Sequence, residues 1–484
     1  MLLANIIGKY PIVNIEGDTN IEITGIEHNS ERIKDGNLFI AQKGYNHDGH
    51  NFIEDAIKKG ALAVVKNQDL DINKNITIID VIDSTDALGY FSAKYYHKSW
   101  TSLNTIGITG TNGKTTTSYI IKNILEKNNK KVGIIGTMGV LVDKEHIDIP
   151  NTTPDSLEIQ RCLNVMYNNK IEYCIIEVSS HALDMKRVKY MDFDVAIFTN
   201  LSKDHLDYHK TMENYFNSKL RLFLKTSRLN IINNDDIYGQ RIISYIDNKG
   251  KFVTYGIKNK ANIYATDIAY NKSRAIFKIK TPKGDMDIRL RIPGEFNIYN
   301  SLAAAACCYG LGVDLSAIKE GLESFNGIKG RFEEIETNHD FNVIIDFAHT
   351  PEGIRESLKA LDKFANGRKI VVFGAGGDRD KSKRPEMGKI AGENSDLVII
   401  TSDNPRSEEP QDIANDIAQG VRQTNTNYKI ILDRKEAISY AIMNSICNDT
   451  ILITGKGHED TMAIKGKKIP FDERKIVLDI IDKI

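Results

Sequence analysis

The run Ile106–Thr117, IGITGTNGKTTT, holds the residues best suited to chemistry. An apolar, strand-like segment, Asn104–Thr109, feeds a loop of small residues. Lys114-Thr115-Thr116 then opens a helix-like segment. Gly110 and Gly113 let the backbone of Gly110-Thr111-Asn112-Gly113 turn tightly and point N–H groups inward. A helix N-terminus adds partial positive charge, so the loop suits a polyphosphate. The Lys114 ammonium can reach β- and γ-phosphates, and the Thr115 hydroxyl can hold Mg²⁺. The spacing departs from G-x-x-x-x-G-K-[ST], because Ile108 stands where the first glycine is expected.

Further polar residues follow apolar runs. In YCIIEVSSHAL, Glu177 ends a buried-looking strand, where a carboxylate can hold Mg²⁺ or simply cap or pair. In AIFTNLSKDHLDYH, His205 and His209 stand four apart, a spacing that can place both on one helical face. No HExxH and no nearby cysteine completes a zinc site, and Asp204 and Asp207 read as capping or orienting groups. Lys219, in MENYFNSKLRLF, reads as a surface cation. VIIDFAHTP offers Asp346 and His349 to a ribose or phosphate. FGAGGDRDKSKR is a basic ligand-facing loop without a full G-x-G-x-x-G. SDNPR (Ser402–Arg406) and GKGHED (Gly455–Asp460) each read equally well as turn or site.

Elements must position these residues. The first hundred residues mix short strands (Ile21–Ile26, Asn37–Ala41, Leu62–Val65, Ile76–Val81) with a helix around Phe52–Lys59. Apolar runs at Lys131–Ile135, Tyr173–Glu177, Val195–Thr199 and Asn230–Asn233 then alternate with helical segments. That alternation predicts a parallel sheet covered on both faces. After the helix Ile298–Tyr309 the pattern changes at Phe325–Arg331. Four more strand-like runs follow: Asn342–Asp346, Lys369–Gly374, Leu397–Ser402 and Thr450–Thr454. Each ends in a polar loop, and ligands of open α/β sheets bind beyond the carboxyl ends of strands. The four loops are expected to line one crevice.

The bulk numbers agree. A chain of 484 residues suggests about three domains. It is 41% hydrophobic and 27% charged, with a net charge of −1, so no nucleic-acid scaffold is implied. Five scattered cysteines without a C-x-x-C disfavour a disulfide framework and fit a reducing cytoplasm. The opening MLLANIIGKYP lacks signal-peptide features, and no run is long enough for a membrane span.

The ordered set of motifs resembles the Mur ligases, the ATP-dependent amide-bond formers of bacterial cell-wall synthesis. The resemblance spans nearly the whole chain. It rests on TGTNGKTTT, NTTPDS, EVSSHAL, LSKDHLDYH, GEFNIYN, GRFE, DFAHTP, GGDRDKSKRP, DNPR and GKGHE. Within the family it is most similar to members that add the third peptide residue. It implies an α/β protein of three domains: residues 1–100 for the uridine end, a central P-loop-type sheet at 101–328 for ATP, and a Rossmann-like domain at 329–484 for the incoming amino acid. The implied substrates are ATP, UDP-MurNAc-L-Ala-D-Glu and meso-diaminopimelate, or L-lysine or another diamino acid in its place, with Mg²⁺ as cofactor. A cytoplasmic monomer with no nucleic-acid or membrane partner is expected.

The resemblance also implies roles. Ser30 contacts the uridine end, and Asn151, Thr152, Thr153, Ser179 and Arg187 contact the muramoyl peptide. Gly110–Thr116, Asn297, Arg331, Asp346 and His349 serve ATP. Thr115, Glu177 and His205 hold Mg²⁺, together with Lys219 as an N6-carboxylysine carbamate. Lys114, Glu177, His205 and Lys219 carry catalysis. Arg379, Asp403, Asn404, Pro405, Arg406, Gly455 and Glu459 hold the amino acid. Family members often read DSR where this chain has Asn29-Ser30-Glu31, and DYAHTP where it has DFAHTP. Thr461-Met462 replaces an aromatic–Gln pair common after GHE. Two other classes share the phosphate loop. A folylpolyglutamate-synthetase-like ligase would not need the N-terminal domain, and a non-catalytic P-loop protein would not need Glu177, Lys219 and the later loops together.

Overall fold

A computed structural model describes residues 1–44, 47–72, 76–143, 145–247, 250–271 and 274–484. The fold is α/β. By compactness the chain forms two units: Met1–Thr109 with Lys130–Ala196 and Ser218–Asn230, and Gly110–Asn129 with Ile197–Asn217 and Ile231–Ile484.

The first unit opens with strands β1 (Asn14–Glu16), β2 (Gly25–Glu27), β3 (Asn37–Ile40), β4 (Ala63–Lys66) and β5 (Thr77–Asp80). Their order is β1-β5-β4-β3-β2, with only β1 antiparallel. Successive strand residues face opposite ways, so Leu38 and Ile40 join one core and Phe39 and Ala41 another. The strand expected at Ile21–Ile26 starts only at Gly25. Before it, Glu22 makes an isolated bridge to Leu2.

The same unit holds β6 (Asn104–Thr109), β7 (Val132–Gly136), β8 (Gly139–Val142), β9 (Glu145–Ile147), β10 (Tyr173–Glu177) and β11 (Phe193–Phe198, counted to Ala196). They run in the order β11-β6-β10-β7-β8-β9. β6, β10 and β7 are parallel, pairing Ile106 with Ile175 and Ile175 with Ile134. β12 (Thr226–Asn233) begins in this unit and ends in the other.

In the second unit β13 (Phe252–Gly256), β14 (Ile263–Asn271), β15 (Arg274–Thr281) and β16 (Gly284–Leu290) are consecutive neighbours, and β14–β16 are antiparallel. Strands β17 (Glu333–Ile335), β18 (Asn342–Asp346), β19 (Lys369–Phe373), β20 (Leu397–Ile400), β21 (Asn427–Ile430) and β22 (Thr450–Thr454) form a separate sheet, ordered β17-β18-β22-β19-β20-β21. All but β17 are parallel. Val371 and Phe373 pack under helices Pro351–Leu361, Lys383–Asn394 and Pro410–Val421. Ile370 and Val372 pack under Arg434–Met443 and Glu473–Ile481. A hairpin, β23 (Thr461–Ile464) and β24 (Lys467–Pro470), follows β22. All five cysteines are free. Among the described residues no helix is long and apolar enough to cross a membrane.

Helices Lys383–Asn394 and Pro410–Val421 approach through glycine. A Cβ on Gly420 would overlap the Pro385 carbonyl oxygen, and one on Gly388 that of Ile417. Helix propensity alone predicts that Gly420→Ala stabilises by about 1 kcal/mol. The overlap predicts the opposite sign, a loss of about 1–3 kcal/mol in denaturant unfolding. A more stable variant would refute the close packing.

Candidate active site

In the first unit the chemistry gathers at the carboxyl ends of β7 and β10. Glu177 ends β10 and is fully buried. Its Oε1 accepts the Thr137 N–H at 3.1 Å, and its Oε2 the Thr137 hydroxyl at 2.9 Å. Thr137 follows Gly136, where a Cβ would run into the Glu177 carboxylate. The Thr137 hydroxyl also lies 3.1 Å from that of Thr152. Thr153 Oγ1 donates to the Glu177 carbonyl at 2.7 Å and accepts the Ser179 N–H at 3.0 Å. Arg187 reaches the Thr153 carbonyl at 2.7 Å, and Ser179 caps helix Ser180–Asp184. Four of the residues expected to bind the peptide are thus bonded around Glu177, while Asn151 is exposed beside them.

The N-terminal sheet is tied to this cluster. Ser30 is buried in the turn Ser30–Arg32, after β2. Just before it, His28 Nε2 lies 3.5 Å from Asp155 Oδ2. Asp155 also caps helix Ser156–Asn168. Arg161 of that helix pairs with Glu27 at 2.5 Å. Burial opposes protonation of His28, but the Asp155 carboxylate outweighs it and raises its pKa. Burial likewise opposes ionisation of Asp155, yet His28 holds its carboxyl at about 2.

Lys219 corrects a reading of the sequence. It is not a surface cation: it is 1% exposed, with Nζ 3.4 Å from Thr109 Oγ1 at the end of β6. The signal was helical spacing. Tyr215, Phe216, Leu220 and Phe223 are buried, and Lys219 shares their face of helix Met212–Phe223.

In the second unit Gly113 caps helix Lys114–Lys127 at φ 86°, a conformation that favours glycine. A Cβ there would overlap Asn300 Oδ1. The loop is pinned by Thr111 N–H to the Asn200 carbonyl at 2.9 Å and Asn112 N–H to Asn200 Oδ1 at 3.0 Å. Lys114 Nζ folds over it, donating to the carbonyls of Gly110 and Thr111 at 2.9 Å each. Thr115 is buried in the first helical turn and Thr116 follows it, half-buried. Arg331 Nη2 lies 3.4 Å from Thr115 Oγ1, and its guanidinium stacks 4.1 Å from the Phe347 ring. Asn297 donates to the Pro293 carbonyl at 2.7 Å and accepts from Asn300 at 3.2 Å.

The shared helical face expected for His205 and His209 does not form. His205 sits ahead of helix Leu206–His209 at φ 53°, and the buried His209 stacks on Tyr215. Among the described residues no group of three or more His, Cys, Asp or Glu side chains could hold a metal. Asp204 is buried 3.8 Å from Lys383 Nζ. Burial opposes its charge, but His205, Lys383 and His349 hold its carboxyl at about 2. His349 is pushed down by burial and by Lys383.

The four polar loops of the last sheet do come together. Asp346 binds the backbone of Phe332 and Phe347 and the Ser357 hydroxyl, at 3.0, 2.8 and 2.6 Å; burial raises its pKa. Gly377 N–H donates to the Asn404 carbonyl at 2.9 Å, and Gly455 N–H to that of Asp346 at 3.2 Å. Arg406 donates to the Gly377 carbonyl at 2.5 Å, and a Cβ on Gly376 would meet both Arg406 and Arg379. Burial and the neighbouring Arg379 charge lower the Arg406 pKa. Asp403 packs against Gly455, and Asn404 Nδ2 donates to Glu459 at 2.8 Å. Pro405 is buried between Asn404 and Arg406. Thr137, Lys383 and Lys456 were not singled out from sequence, although Lys383 and Lys456 lie inside motifs that were.

Three family models match in chain order: Mur ligase family, catalytic domain (residues 22–96); Mur ligase middle domain (108–308); and Mur ligase, glutamate ligase domain (330–457). A protein of Caldanaerobacter subterraneus subsp. tengcongensis is 46% identical over 467 residues, 96% of each chain. The chain belongs to the Mur ligase family. The Caldanaerobacter protein is named UDP-N-acetylmuramoyl-L-alanyl-D-glutamate--2,6-diaminopimelate ligase. One of the same name from Clostridium perfringens is 43% identical, covering 100% of both chains. A solved structure with that name superposes at a TM-score of 0.70, with 31% identity, over 100% of this chain and 99% of the other.

The His28–Asp155 pair gives this Mur ligase a pH-dependent contribution to stability. His28 binds its proton more tightly folded than unfolded. Its contribution is complete below about pH 6.5 and is lost as pH rises through the higher folded value. The unfolding free energy of the protein should exceed that of His28→Gln by more at about pH 6 than at about pH 8. Urea titrations at both values measure this, and a gap that widens with pH would refute the pair.

Proposed function

We propose that this Mur ligase joins the D-glutamyl carboxylate of UDP-MurNAc-L-Ala-D-Glu to an amine of meso-diaminopimelate at the expense of ATP, in the cytoplasm and as a monomer. Residues 1–100 bind the uridine end with Ser30. Residues 101–328 hold ATP and the peptide, the latter through Asn151, Thr152, Thr153, Ser179 and Arg187. Residues 329–484 present the amino acid. The carrying observation is Arg406, half-buried beside Arg379 among loops that also bring Asn404 and Glu459. Its planar guanidinium matches a carboxylate through two parallel hydrogen bonds. meso-Diaminopimelate carries a distal carboxylate that lysine lacks. The full-length kinship with ligases named for that amino acid supports the same reading.

The glutamyl carboxylate oxygen attacks the γ-phosphorus of ATP, and ADP leaves. The amine then attacks the acyl phosphate carbonyl, a proton is lost, and inorganic phosphate leaves. Lys114 and the loop N–H groups neutralise charge on the transferring phosphoryl group. Mg²⁺ suits oxygen donors such as the buried Glu177 carboxylate, and it keeps waters and phosphate oxygens rather than an all-protein cage. In the second unit Thr115 and His205 would offer it ligands, and when bound it supplies charge neutralisation to the phosphates. The neutral Lys219 amine adds CO₂, forming an N–C bond and releasing a proton. The carbamate replaces a buried cation with an anion that offers oxygen ligands.

Two measurements test this. With amino acids supplied singly, wild type should release phosphate far faster with meso-diaminopimelate than with lysine. Arg406→Ala should lose most of that preference, since a lost buried charge pair is worth about 2–5 kcal/mol. A lysine preference in wild type would end the reading. Lys219→Ala should be inactive and regain some activity with small carboxylates such as acetate. Near-normal turnover by Lys219→Ala would exclude the carbamate.

A further inference from the structure

Lys456 lies under the amino-acid loops, and the mechanism above does not use it. It follows Gly455 in the turn after β22, and its side chain is fully buried. A buried ammonium needs oxygens for its three protons. It finds the Thr461 carbonyl at 2.7 Å, Glu459 Oε2 at 2.9 Å and Asn404 Oδ1 at 3.3 Å. Two of these partners are side chains expected to face the incoming amino acid.

The contacts fix orientation as well as charge. Asn404 Oδ1 also accepts the Ala463 N–H at 2.9 Å, so its amide can point only one way. Its Nδ2 then donates to Glu459 Oε2 at 2.8 Å. Lys456 and Asn404 both engage Oε2, which leaves Oε1 as the oxygen to present to a substrate ammonium. Arg406 feels the Glu459 charge as well. Without a fixed partner Glu459 can swing toward Arg406, and the anionic and cationic halves of the site would cancel. A zwitterionic amino acid needs the two halves apart.

We propose that Lys456 is a positioning residue for amino-acid recognition: its buried ammonium locks Asn404 and Glu459 into one unit and holds Glu459 away from Arg406. This rests on the reading that Asn404 and Glu459 hold the incoming amino acid.

The test measures KM for ATP, for the UDP-linked peptide and for whichever amino acid wild type accepts, meso-diaminopimelate and lysine being supplied singly. The proteins are wild type, Lys456→Met, Lys456→Gln, Glu459→Gln and the Lys456→Met/Glu459→Gln double variant. Lys456→Met should raise the amino-acid KM about tenfold or more and leave the other two within about twofold. The double variant should lie within about twofold of Glu459→Gln alone, because the lysine acts through that carboxylate. Lys456→Gln, which keeps a donor, should fall between wild type and Lys456→Met and remains readable if Lys456→Met does not fold. Equal rises in all three KM values, additive effects, or melting of both Lys456 variants would overturn the proposal. A Glu459→Gln protein with unchanged amino-acid KM would sink the underlying reading instead, and a lysine preference in wild type only the choice of diaminopimelate.

Discussion

A parallel strand buried on both faces can carry polar chemistry only at its ends, and adjacent parallel strands end on the same side. In the last sheet β18, β22, β19 and β20 are parallel neighbours with apolar interiors. Their carboxyl ends release Asp346, the Gly376–Gly377 turn, Asp403–Arg406 and Gly455–Glu459 together. The same constraint places Thr109, Thr137 and Glu177 at the ends of β6, β7 and β10. Polar residues far apart in sequence thereby become neighbours without any long-range pairing motif of their own.

Buried charge then holds these loops in place. Isolated ions in a protein interior are expensive, so each must be met by oxygens or counter-ions. Arg434 is fully buried, bonds Glu473 at 2.7 Å, and donates to the carbonyls of Ser402 and Thr454 at 3.2 and 2.9 Å. It therefore ties the ends of β20 and β22 to the final helix. Arg384 does the same for Glu408 and Asp416, at 2.9 and 3.0 Å. Removing one member of such a pair strands the other, which makes the loop geometry stiff rather than merely stable.

Much of this was legible in the residues. Apolar runs bounded by polar loops marked β10, β18 and β22 to the residue, because a strand buried on both faces has sharp chemical edges. The apolar pattern predicts the strand at β2 too early, since Ile21 and Ile23 are apolar without being laddered. The apolar pattern does not mark the β14–β16 meander. Its residues alternate exposed and buried, and its many Lys and Asp side chains on the wet face dilute the apolar signal. The His205–His209 spacing suggested a shared helical face, but spacing alone cannot tell where a helix begins. His205 takes a left-handed conformation just outside it.

The sequence by itself determined the buried parallel strands that end in polar loops, the phosphate loop and the family, because these depend on local order: strand, small residues, lysine, helix. Only the tertiary structure decided which charges are buried. Lys456 looks like any other surface lysine in a charged chain, and the spacing that sets Lys219 among apolar helix residues does not say whether that face is covered. Each is enclosed because strands distant in sequence converge on it, and burial is a property of those neighbours rather than of the residue. The same convergence turns Thr137 into the partner of Glu177 and Asn404 into the partner of Glu459, two pairings that no spacing in the chain encodes.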